Sequence, residues 1–168
     1  CSARRSEGGS LWVANINAPG QVVVAGGVSD VEWLEERASD LGLRRVMGLA
    51  VAGAFHSPFM QPASDRLSSV FDGVEISDGR FPVYSNVTAR PVSSEDLVAT
   101  LVDQVVSPVR FAETLENMAA AGIDTFVHVG PGDVTAGLAR RTVRGSNVIT
   151  VSSLDDVEAA TEALGSIS

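Results

Sequence analysis

The chain has 168 residues, 45% of them hydrophobic and 20% charged, a globular composition that supports a core and excludes a disordered polymer. A formal net charge of −9 argues against a nucleic-acid partner, which is held by a basic face, and no apolar run reaches the ~18 residues a membrane span needs. Cys1 is the only cysteine, which excludes an internal disulfide and a multi-cysteine metal site and fits a reducing compartment, the cytoplasm.

The start, "CSARRSEGGS", has no apolar stretch behind its arginines and is not read as a secretory signal. It also has no initiator methionine, so we expect a processed chain or a piece of a longer one. "LWVANIN" reads as a strand, and "APG" turns it into a second apolar run, "QVVVAGG". Ser29 is positioned to cap the next helix with Glu32 completing a capping box; Val31, Leu34, Ala38 and Leu41 give its helical spacing, and Gly42 closes it. "RRVMGLAVAG" is the expected third strand, ending at His56. Met60, Ala63, Leu67 and Val70 then mark a helix that stops near "FDG".

"FPVYSNVTARPV" predicts a strand and a turn. Ser94 opens a helix with Leu97, Leu101 and Val105 on one face; Pro108 interrupts, and a second helix carries Phe111, Leu115 and Met118 as far as Gly122. "DTFVHVGPGD" is expected to be a buried strand running into a tight turn, with "VTAGLARRTV" as the helix beyond and "NVITVSS" and "DDVEAATEAL" as a last strand and helix. Strands alternating with helices imply an α/β fold.

His56 is the main chemical candidate. A histidine at the mouth of a helix, with Gly53 and Ala54 leaving room around it, fits a catalytic base as well as it fits a hydrogen-bonded structural residue. A base needs a nucleophile, and no serine here stands in the G-x-S-x-G turn. Ser57 adjoins His56, but neighbouring side chains on a turn diverge. "VGPGDVTAG" begins like a nucleotide loop, yet Thr135 replaces its third glycine, so it reads as a strand-to-helix turn and His128 as structural. Two distant histidines without acidic residues at ligand spacing give no metal site. Arg44–Arg45 and the group Arg140, Arg141 and Arg144 are the candidate basic patches, and solvated surface is their plainest reading.

Five segments in one order, "ANINAPGQVVVAGG", "GAFHSPFMQPASDRL", "FPVYSNVTARPV", "LVDQVVSPVRFAETLENM" and "HVGPGDVTAGLARR", carry a family resemblance. From about Leu11 to about Leu164 the chain resembles the C-terminal part of the malonyl-CoA:acyl carrier protein transacylase family, which includes the acyltransferase domains of fatty acid and polyketide synthases. The resemblance implies an α/β-hydrolase-like large subdomain with a ferredoxin-like small subdomain inserted. Residues 1–50 would be the end of the small lobe, and residues 51–168 the C-terminal half of the large one. It implies an upstream serine nucleophile in a G-H-S-x-G elbow, with His56 as its base and a backbone carbonyl at Gln104 orienting the ring. From spacing alone, Gln104 is a polar residue beside an apolar stripe.

The resemblance further implies Phe55 as a wall excluding an α-methyl group from the acyl pocket and Asn17 as a cleft residue. Gly53 stands where many polyketide malonyl domains carry histidine, which favours a free-standing fatty acid enzyme. The implied substrate is malonyl-CoA and the implied partner an acyl carrier protein bearing phosphopantetheine, with no cofactor resident in the chain. The nucleophile and a carboxylate-binding arginine would belong to a missing N-terminal portion of the same domain, without which the chain should not turn over. Rival readings are an acyltransferase domain of a modular polyketide synthase, an acyl hydrolase, and a non-catalytic module that docks carrier protein through Arg140, Arg141 and Arg144.

Overall fold

The structure is a computed structural model and describes residues 1–165. A short helix α1 (Ser2–Ser6) precedes an antiparallel hairpin, β1 (Leu11–Ala18) and β2 (Gln21–Gly26), turned at Pro19–Gly20. Gly20 has φ +74, a left-handed conformation that glycine adopts without a side-chain clash. Helix α2 (Val28–Glu36) follows. Its N-cap is Gly27 rather than Ser29, and the expected capping box is not formed. The adjacent Asp30 is drawn elsewhere: it accepts from Ser10 N at 2.9 Å and from Arg4 Nε at 2.6 Å, tying α1 to α2. The helix also ends earlier than its spacing indicates, in turns that close at Gly42.

The strand expected in "RRVMGLAVAG" is absent; residues 44–53 form no regular secondary structure. Met47, Leu49 and Val51 are all exposed, and the segment's own backbone bond is the local Val51 N to Leu49 O contact of 3.0 Å. Strand propensity needs a neighbouring strand to express it, and among the described residues none lies beside this segment. His56 therefore follows an irregular run instead of a strand.

A single 3₁₀ turn (Pro58–Met60) leads into α3 (Gln61–Val70), in the region its spacing predicts. A two-residue hairpin pairs β3 (Val83–Tyr84) with β4 (Pro91–Val92). Helix α4 (Ser94–Asp103) is capped by Ser93, whose hydroxyl accepts from Asp96 N at 3.2 Å. Beyond it, Pro108 holds the chain extended, so Val109 pairs with the middle of β1: Val109 N donates to Ala14 O and Val109 O accepts from Ile16 N, each at 2.8 Å.

Helix α5 (Phe111–Ala120) stops at Gly122, φ +94. Then β5 (Thr125–Val129), α6 (Val134–Thr142) and β6 (Asn147–Val151) form one parallel βαβ unit, and α7 (Val157–Gly165) ends the described chain. Leu115, Ala139 and Val143 are the buried centre between α5, α6 and this sheet, with Phe111, Phe126 and Val148 packed against them. The expected burial of β5 is incomplete, since Val127 and Val129 on alternate positions are 41% and 77% exposed. Among the described residues β5 has a strand on one side only, whereas parallel sheets are ordinarily covered on both faces. No helix among the described residues is long and apolar enough to cross a membrane.

Candidate active site

The local sequence around His56 sets an unusual backbone. His56 has φ +58, one of two non-glycine residues with a positive value among those described. A left-handed residue with a side chain costs about 1–2 kcal/mol, so the surrounding contacts must enforce it. They do so immediately after it. Ser57 is fully buried, its hydroxyl donates to Ala54 O at 2.6 Å, and its carbonyl accepts from Met60 N at 3.0 Å. This burial and internal bond remove Ser57 as a nucleophile. Phe59 meets the edge of Trp12 with ring centroids 5.4 Å apart, docking the turn on β1.

Helix α3 packs on α4, with Ser64 Oγ donating to Val102 O at 3.1 Å. That packing brings the C-terminal end of α4 to His56. Gln104 is the helix C-cap, and its carbonyl, one of those a helix end leaves without an intrahelical partner, lies 2.8 Å from His56 Nδ1. A carbonyl only accepts, so Nδ1 carries a proton, and in the neutral ring Nε2 keeps its lone pair. Nε2 has no hydrogen-bond partner among the described residues, and the ring is half-buried. An imidazole fixed at one nitrogen, with the other basic and reachable, can take a proton from a hydroxyl or thiol.

The other anticipated residues are more scattered. Phe55 is 49% exposed beside the base, its ring near Gly53. Asn17 is half-buried on β1, and no hydrogen bond joins it to His56, Phe55 or Gln104 among the described residues. Arg140 Nη2 donates to Val148 O at 3.2 Å and Thr150 Oγ1 at 3.1 Å. Arg141 donates to Gln21 Oε1 at 2.5 Å and Pro19 O at 3.3 Å, bracing the β1–β2 turn. Arg144 is exposed, without an ion pair among the described residues. His128 bridges the turn between β5 and α6: Nε2 faces Gly130 O at 3.1 Å, and Nδ1 contacts Thr135 Oγ1. Both of its nitrogens are thus occupied, unlike those of His56.

Residues 2–163 match the family model for the acyl transferase domain. The malonyl CoA-acyl carrier protein transacylase of Bacillus subtilis is 39% identical over 159 residues, covering 94% of this chain and 50% of that protein. The crystal structure of an acyl-carrier-protein S-malonyltransferase from Bartonella henselae superposes with a TM-score of 0.88 at 37% identity, over 95% of this chain and 51% of that one. A malonyl-transacylase solved in complex with its type II polyketide acyl-carrier protein gives 0.89 at 33% identity, over 94% and 52%. The chain spans about half the length of the curated relatives it matches. With an α/β architecture and near-complete coverage of its own length, this chain belongs to the acyl transferase domain family.

Proposed function

We propose that the chain is the base-bearing half of a malonyl-CoA:acyl carrier protein S-malonyltransferase of the cytoplasm, the end of its small lobe lying in residues 1–50 and half of its large one in residues 51–168. The observation that carries this reading is the 2.8 Å contact between His56 Nδ1 and the Gln104 carbonyl, which leaves Nε2 as an oriented base. The nucleophilic serine belongs to the part of the relatives' length that this chain does not span. The relatives' names, and the carrier protein bound to one of them, supply the donor and acceptor classes.

In the first half-reaction His56 Nε2 takes the serine hydroxyl proton as the oxygen attacks the thioester carbonyl of malonyl-CoA. The tetrahedral adduct collapses, the C–S bond breaks, and the imidazolium returns that proton to the departing CoA sulfur. In the second half-reaction Nε2 takes the proton of the carrier's phosphopantetheine thiol, the sulfur attacks the malonyl-serine ester, and the serine oxygen leaves with the proton. Acid and base roles alternate on one nitrogen, and no cofactor resides in the chain. Asn17 would line the cleft. Phe55 would crowd an α-methyl group on the donor; because one methyl is worth only ~1–3 kcal/mol, the discrimination is real but limited. Arg140 and Arg141 are committed to internal contacts, so of the three arginines Arg144 would do most of any carrier docking.

The reading is tested by joining this chain to the serine-bearing half and assaying it with malonyl-CoA and holo carrier protein. Malonyl transfer is expected, and Phe55→Ala should lower the preference for malonyl over methylmalonyl donors by roughly tenfold. Hydrolysis of the thioester to free malonate without transfer would overturn the reading in favour of an acyl hydrolase.

A further inference from the structure

The hydrogen bonds around His56 do not stop at the Gln104 carbonyl. The side chain of Gln104 is itself held: Asn86 Nδ2 donates to Gln104 Oε1 at 3.2 Å, across 18 residues of sequence and in a partly buried setting. Asn86 lies in the six-residue loop between β3 and β4, and nearly every turn of that loop is fixed. Ser85 is buried; its N donates to Arg90 O at 2.9 Å, and its hydroxyl accepts from Val87 N and Thr88 N at 3.0 and 3.3 Å. The fully buried Ala89 sits at φ +56, and its carbonyl accepts from Asn117 Nδ2 of α5 at 2.8 Å. Asn86's own carbonyl accepts from Arg110 N at 2.9 Å, and Arg110 Nη1 donates to Val87 O at 2.9 Å. The Glu113 carboxylate, with Oε2 accepting from Arg110 Nε at 2.8 Å, holds that guanidinium in turn.

We infer that Asn86 is a positioning residue for His56, acting through Gln104. Helix ends fray, and the carbonyl facing the imidazole belongs to the C-cap of α4, where two backbone bonds hold it to the helix: Gln104 N to Thr100 O at 3.0 Å and, from the carbonyl's own peptide group, Val105 N to Val102 O at a longer 3.3 Å. Asn86 supplies a further tether, on the side chain, and anchors it to the start of α5 rather than to α4. Gln104 is therefore clamped from two elements while its carbonyl meets the ring. Releasing the side chain leaves that peptide group held from α4 alone, through the 3.3 Å Val105 N–Val102 O bond, so it turns more readily and the acceptor that keeps the proton on Nδ1 is lost for part of the time. The lone pair on Nε2 is lost with it. The inference deepens the function proposed above but is measured without turnover.

The test reads the ring nitrogens of the ¹⁵N-labelled chain by long-range ¹H–¹⁵N correlation with the imidazole neutral. The unaltered chain should show His56 as the Nδ1–H form. Asn86→Leu should lower the ratio of Nδ1–H to Nε2–H by about fivefold, the weight of one neutral hydrogen bond. Gln104→Met, which keeps the carbonyl and removes Oε1, should do the same, and the double variant should add nothing further. Asn86→Asp should preserve the ratio, because the Gln104 amide can turn over and donate Nε2–H to the new carboxylate. His128, the only other histidine, is the internal control and should stay unchanged. An unaltered His56 ratio in Asn86→Leu and Gln104→Met would overturn the inference, as would an equal shift of His128. Should Asn86→Leu not fold, Gln104→Met alone decides. Failure of the transferase reading would show in the malonyl assay and leave this ratio untouched.

Discussion

At the scale of single residues, His56 combines a strained backbone with a restrained ring. Its φ of +58 is a cost, and its bond to Gln104 is a gain of similar size. The two can be separated by substitution. His56→Ala keeps the strain and loses the bond, whereas His56→Gly loses both. The glycine variant should therefore be more stable than the alanine variant by about 1 kcal/mol in urea denaturation. Equal stability would show that the left-handed backbone carries no strain. Little of this was legible in the sequence. Position and neighbours left His56 balanced between base and bystander, and only the family resemblance singled out Gln104, because a backbone carbonyl has no side-chain signature. Asn86 was missed altogether: asparagine in "SNVTAR" reads as a turn former, and its long-range bond depends on where α4 ends.

At the scale of elements, helices were easier to read than strands for a physical reason. A helix satisfies its backbone internally, so the apolar spacing of α3, α4 and α5 appears in their own sequences. Residues 44–53 carry strand-like composition but find no neighbour among the described residues, and they remain irregular. The start of α2 failed differently. Ser29 has the right chemistry for a cap, but Asp30 is recruited by Ser10 and Arg4, and the helix begins two residues earlier. Helix α4 matters most to the site because its end presents Gln104. Its cap is correspondingly important: Ser93→Ala should cost about 1 kcal/mol in thermal or urea denaturation. A change below a few tenths would mean that Asp78, which also accepts from Ser94 N at 3.3 Å, suffices alone.

At the scale of the whole molecule, two properties follow from surface and charge. Three carboxyls titrate below their ordinary range: Asp30 through the Ser10 backbone N–H and then Arg4, against an opposing effect of burial; Asp78 through Ser94; and Asp156 through the Ser153 and Ser152 backbone. A depressed folded value means that their stabilisation is complete above the unfolded value, near pH 4, and is lost as pH falls through the lower folded values. The melting temperature should therefore drop on acidification below about pH 4, and Asp30→Asn should flatten part of that slope. A pH-independent melting temperature in that range would contradict these contacts. The second property is exposed apolar surface at Met47, Leu49, Val51 and Val129. An irregular apolar segment and an uncovered strand edge, β5, both favour self-association, so sedimentation of the chain alone should depend on concentration. Val129→Lys should weaken that dependence while shifting the denaturation free energy by no more than about 0.5 kcal/mol.

The proposed function rests on His56 Nε2 acting as the base for a serine outside this chain. Its most direct test is the single-turnover rate of serine acylation by malonyl-CoA, measured in the joined polypeptide with and without His56→Ala. A general base contributes about 10²- to 10⁴-fold, so the variant should form the malonyl-enzyme at least about a hundredfold more slowly with its fold intact. Acylation at the unaltered rate would remove His56 as the base.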